Sequence, residues 1–105
     1  MSNLENRVNR INSLTDLVIL GILNAQSTHA YRIRQIALEK FGIRLYPGVL
    51  YPKLRRLERD SVIEAEWKKD LRKKKVYSLT AYGKKLYNQT IKNFLLIIEE
   101  LQEMK

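Results

Sequence analysis

A chain of 105 residues with 45% hydrophobic and 30% charged residues but only 4 Gly and 2 Pro can fill one helix-leaning core, which excludes a disordered chain and a multidomain one. The absence of Cys excludes disulfides and thiolate metal sites, and a single His, with no Gly-rich phosphate loop or spaced carboxylates, leaves no catalytic set; neither enzyme activity nor a cofactor is expected. The net charge of +9 favours a polyanionic partner, and it is concentrated: residues 30–75 carry fourteen basic against six acidic groups, whereas residues 1–29 carry two of each and residues 76–105 four against three.

Asn12-Ser13-Leu14-Thr15-Asp16 opens the first helix. Ser13 is expected to accept from the Asp16 N–H, with Asp16 bonding back as a short-armed capping box. Leu14, Leu17, Val18, Ile19, Leu20, Ile22 and Leu23 make this helix apolar nearly all round, so it belongs mid-core or between a core and a subunit contact. The run Leu17–Leu23 is far short of the roughly 18 residues a membrane span needs, and nothing before it resembles an export signal. A cytoplasmic protein without membrane contact is expected.

A second helix is predicted from about His29 to Phe41, with Ile33, Ile36, Ala37 and Phe41 as its apolar stripe and Gly42 in the left-handed position that ends it. A third runs from near Pro47-Gly48 to near Asp60, with Leu50, Leu54 and Leu57 buried. Pro47 suits a helix entry. Pro52 costs little if the helix begins at Gly48 or Val49. Ile63–Trp67 and Lys75–Leu79 alternate as two strands around a charged tip, Lys68–Lys74, and Trp67 and Tyr77 read as packing residues. Thr80 caps a last helix whose Tyr87, Ile91, Phe94, Ile98 and Leu101 recur at spacings of four and three, widened by Leu95 and Ile97. Left bare, this seam is an apolar patch that soluble monomers rarely tolerate, so a homodimer is expected.

The short link Gly42–Tyr46 between the second and third helices is compatible with a helix-turn-helix. The third helix must then present its other face outward, and the major groove of B-DNA admits one helix. Val49, Tyr51, Lys53 and Arg55 are the candidates for base edges, because Arg reaches guanine O6 and N7 and an apolar side chain meets a thymine methyl. Arg32, Arg34, Arg44, Arg56 and Arg59, with the free N–H groups at Gly48, are candidates for phosphate. Lys68, Lys69, Arg72, Lys73, Lys74 and Lys75 form a basic tip over the adjacent minor groove or its backbone.

The stretch Pro47-Gly48-Val49-Leu50-Tyr51-Pro52-Lys53-Leu54-Arg55-Arg56-Leu57-Glu58 resembles the PadR family of transcriptional regulators, with its Gly-Thr-Leu-Tyr-Pro signature and Leu-x-Arg-Leu-Glu run. Leu20–Leu23, His29–Ile33 and Lys74–Gly83 match further segments in order, so the likeness covers about residues 14–90. Ala30, Val49 and Ser61 depart from it, standing where Gly, Thr and Gly are usual. The resemblance implies a mainly α (α+β) winged helix-turn-helix: three helices, a two-stranded β wing over residues 68–75 and a long C-terminal dimerisation helix. The expected division is a DNA-binding unit at residues 1–79 and a dimerisation helix at residues 80–105. It also implies a sequence-specific regulator of double-stranded DNA, usually a repressor on a palindromic operator; the alternative from charge alone is a non-specific architectural DNA- or RNA-binding protein. Some relatives take phenolic acids or hydrophobic drugs, but one C-terminal helix leaves little room for a ligand domain, and the sequence indicates no effector.

Overall fold

The computed structural model describes residues 13–69 and 74–104. Their order is α1 (Leu14–Ala25), β1 (Thr28–His29), α2 (Ala30–Phe41), α3 (Pro47–Arg59), β2 (Ile63–Lys68), β3 (Lys74–Leu79) and α4 (Ala81–Glu103). Three helices precede the hairpin and the long one follows it. The sheet, however, has three strands where two were expected, in the order β1-β3-β2 and antiparallel throughout. Thr28 and His29 pair with Tyr77 and Val76, so the short polar break after α1 ties the wing to the helical layer.

Local chemistry sets each boundary. Ser13 Oγ accepts from the Asp16 N–H at 3.1 Å, as expected, but the Asp16 carboxylate turns to α3 instead of bonding back. His29 ends β1 and caps α2, its Nδ1 accepting from the Arg32 N–H at 3.3 Å. Gly42 closes α2 at φ 65°. Because α3 begins at Pro47, Pro52 lies inside the helix and not at the edge of its first turn; the carbonyl of Gly48 therefore lacks its usual helical donor. Thr80 Oγ1 accepts from the Gly83 N–H at 2.9 Å and donates to the Ser61 carbonyl at 2.6 Å, joining the α4 entry to the α3–β2 turn. A Cβ on Gly83 would collide with the Val62 carbonyl oxygen, so only glycine lets the two approach.

One core holds these elements together. Ile19 and Leu20 of α1, Ile33 of α2, Leu50, Leu54 and Leu57 of α3, and Val62 and Ile63 are its largest fully buried hydrophobic side chains. Leu86 of α4 belongs to the same cluster. Packing therefore continues across residues 79–80, and only the second half of α4 leaves the core. Two expected packing residues are instead exposed. Phe41, the last residue of α2, is exposed, and Trp67, 64% exposed, lies two and four residues beyond Ala65 and Ile63 along β2, toward the wing tip.

Candidate nucleic-acid interface

Burying Leu50, Leu54 and Leu57 turns the opposite stripe of α3 outward. That stripe is Gly48, Pro52, Arg55 and Arg59, spaced four, three and four apart and all exposed. Val49 and Tyr51 are exposed at its margins. Apart from its neighbours and its own helix backbone, no atom of the described residues lies within 4 Å of where a Cβ on Gly48 would stand, so the N-terminal end of the stripe is bare. At the other end Arg59 pairs, among the described residues, with the neighbouring Asp60, at 3.3 Å, on the surface.

Four residues expected to meet DNA are tied to other parts of the fold. Lys53 Nζ lies 2.9 Å from Asp16 Oδ1 and Arg56 Nη2 lies 2.5 Å from Asp16 Oδ2. Arg34 Nε donates to the Leu45 carbonyl at 2.7 Å and so holds the α2–α3 link. Lys75 Nζ bonds Glu58 at 3.3 Å and stands 5.5 Å from the Tyr77 ring centre, which fastens the wing to α3. Arg32 bonds Gln35 along its own helix, and Arg44 is exposed on the link.

The hairpin stands beside the exposed stripe. Lys69 and Lys74 are exposed, and Lys68 pairs with Glu66 at 3.4 Å. Arg72 and Lys73 lie outside the described residues. Between wing and helices is a cleft of about 270 Å³ lined by His29, Tyr31, Tyr51, Trp67, Lys74 and Lys75, among others. Burial, then the charges of Lys74 and Arg32, hold the His29 imidazole below its usual pKa, which keeps Nδ1 free to cap α2. Burial foremost, with Glu58 and Tyr51 beside it, raises the Tyr77 phenol, so it stays neutral where sheet meets α3. Of the two exposed aromatics here, Trp67 reads from the sequence as a packing residue and Tyr31 has no role assigned to it. Aromatic residues in half-buried elements ordinarily pack, and nothing in the local pattern marks these two as bare.

Along α4, Tyr87 and Ile91 face α1 and line an apolar groove of about 290 Å³ with Leu14, Leu17, Phe41 and Ile43. Phe94 is half-buried, whereas Leu95, Leu96, Ile97, Ile98 and Leu101 are exposed. Four consecutive exposed apolar residues cover every side of the helix, a broader surface than the expected seam. Among the described residues no helix is long and apolar enough to cross a membrane. Nor, among them, does any group of His, Cys, Asp or Glu have the arrangement of a metal site.

The sequence profile of the Transcriptional regulator PadR-like family matches residues 19–89, which include α2, α3 and both wing strands. No curated protein matches the chain. Among solved structures, a PadR-like transcription factor from Bacteroides fragilis superposes with a TM-score of 0.77 at 23% identity, covering 99% of this chain and 100% of that one. A PadR family transcription regulator from Clostridium difficile gives 0.79 at 22% identity, covering 87% and 97%. A transcriptional regulator from Clostridium thermocellum gives 0.79 at 19% identity, covering 92% and 95%.

Proposed function

The chain belongs to the PadR-like family of DNA-binding transcriptional regulators, which are not enzymes, and on that premise we propose that it represses transcription as a homodimer bound to a palindromic operator. The observation that carries this reading is the bare outward stripe of α3 beside an exposed basic hairpin. In this reading α3 enters the major groove. Val49, Tyr51 and Arg55 meet base edges, while Arg32, Arg44, Arg59 and the Gly48 N–H take phosphate, the N–H groups of Val49 and Leu50 being bonded to the Tyr46 carbonyl. Lys68, Lys69 and Lys74 lie over the neighbouring backbone. Arg34, Lys53, Arg56 and Lys75 support the reading head from within.

The second half of α4 supplies the dimer contact through Phe94, Leu95, Ile98 and Leu101, with Tyr87 and Ile91 continuing the surface toward α1. A two-fold pair of α3 helices would then meet successive major grooves about 34 Å apart, which is why the operator should be a palindrome. Selection of bound duplexes from a random pool, followed by footprinting, tests the proposal. The expected product is a two-fold sequence preferred at least about 10³-fold over random duplex. Equal affinity for all duplexes would favour a non-specific architectural role.

A further inference from the structure

Asp16 is the one charged residue among the buried described residues, with none of its side chain exposed. It sits in the first turn of α1, where the helix dipole favours a carboxylate. Each carboxylate oxygen takes one donor, Oδ1 from Lys53 and Oδ2 from Arg56. Those two cations are three residues apart on one flank of α3, and their side chains are only 21% and 30% exposed. The helix that carries the exposed stripe thus has two of its cations engaged inside the protein by one carboxylate, which offsets one of their two charges and arrives from 37 and 40 residues away in sequence.

We propose that Asp16 is a positioning residue that acts as an internal stand-in for a phosphate group. Its first effect is geometric. Gripping Lys53 and Arg56 fixes the roll of α3 against α1, so that Gly48, Arg55 and Arg59 face outward. Its second effect is electrostatic. Affinity for random duplex grows with each phosphate a protein neutralises, because each releases condensed counterions. Withholding two cations per protomer lowers that sequence-independent affinity and leaves base contacts a larger share of the total. The proposal rests on α3 being the helix that meets DNA.

The test compares the full chain and Asp16→Asn on a random-sequence duplex by fluorescence anisotropy from 50 to 200 mM NaCl. Freed Lys53 and Arg56 should reach phosphate, steepening the slope of log K against log salt by up to about 1.8 per bound protomer, or roughly a tenfold greater loss of affinity over that range. The triple variant Asp16→Asn/Lys53→Gln/Arg56→Gln should return to the wild-type slope, which a merely stabilising role of Asp16 would not produce. A folded Asp16→Asn chain with an unchanged slope overturns the proposal. Absence of salt-dependent binding by the wild type would instead overturn the DNA-binding reading of α3. Should Asp16→Asn not fold, acetylation of the wild type followed by mass spectrometry decides. Lys53 should react slowly with or without duplex, whereas Lys74 becomes protected only when duplex is added. A Lys53 that reacts readily in the free protein and is shielded by duplex overturns the proposal.

Discussion

The substitution Ile98→Glu tests the proposed dimer directly, because in a two-fold particle every change on α4 occurs twice. Ile98 is 47% exposed in the single chain, so about half of its burial remains to be gained from a partner. Full burial of such a side chain is worth roughly 1.5–3 kcal/mol, which puts the remaining half at about 1 kcal/mol per copy. A carboxylate brought against the partner's apolar surface costs at least about 1 kcal/mol more per copy, even with partial access to water. Two copies then lose about 4 kcal/mol, close to a 1,000-fold rise in the dimer dissociation constant. Sedimentation velocity across a concentration series reads this shift: the wild type should run at twice the chain's mass under conditions where Ile98→Glu runs as a single chain. Operator affinity should fall with it, since a lone protomer engages one half-site. A variant that sediments as a dimer with the wild-type association constant, or a wild type that stays monomeric, would refute the assignment of α4.

Three further outcomes are expected. Arg55→Gln should weaken operator binding by about 1–3 kcal/mol and relax the preference at one base pair per half-site, read by competition among single-base operator variants. Ser61 holds φ at 60°, a left-handed conformation that costs a side-chain-bearing residue about 1–2 kcal/mol, so Ser61→Gly should raise stability by about 0.5–1 kcal/mol after the extra entropy glycine loses, with an unchanged denaturant slope. His29 has a lowered pKa in the folded chain, so acid protonates the unfolded chain first; the stability its cap contributes is present above the ordinary imidazole pKa and lost as pH falls through the lowered folded value. His29→Asn, which keeps a capping acceptor that does not titrate, should flatten that pH dependence in urea melts.

Periodicity makes the helices legible because burial repeats along the chain itself. Leu50, Leu54 and Leu57 mark the inward side of α3, and Ile33, Ile36 and Ala37 that of α2, before any tertiary contact is known. Strand β1 has no such signal, since two residues cannot show a period; only its pairing with Val76 and Tyr77 makes it a strand. The candidate site was less legible for the same reason. A basic residue's type says that it can meet phosphate, not whether a carboxylate reaches it first. Asp16 read locally as a cap for Ser13, and nothing near it in sequence announces Lys53 or Arg56. Glu58 likewise takes Lys75 from 17 residues away, on the second strand of the hairpin.

These long-range partners explain how a helix with a proline inside it can still present a defined face. One flank of α3 is held to α1 through Lys53, Arg56 and Asp16. The other flank meets the wing through Glu58, Lys75 and Tyr77. Leu50, Leu54 and Leu57 fix the third side, so the stripe Gly48, Pro52, Arg55 and Arg59 is what remains. Its size is graded along the helix. Gly48 and Pro52 are short, so the N-terminal end can sit closest to the groove floor, whereas Arg55 and Arg59 are long enough to reach across a wider gap at the other end. A helix inserted N-terminus first at a tilt would satisfy both ends, and it would aim the Gly48 N–H at the sugar–phosphate wall, since Pro47 has no N–H and those of Val49 and Leu50 bond the Tyr46 carbonyl. Enlarging Gly48 should therefore disturb binding more than enlarging any other position of the stripe, although nothing in the free protein opposes the added atoms.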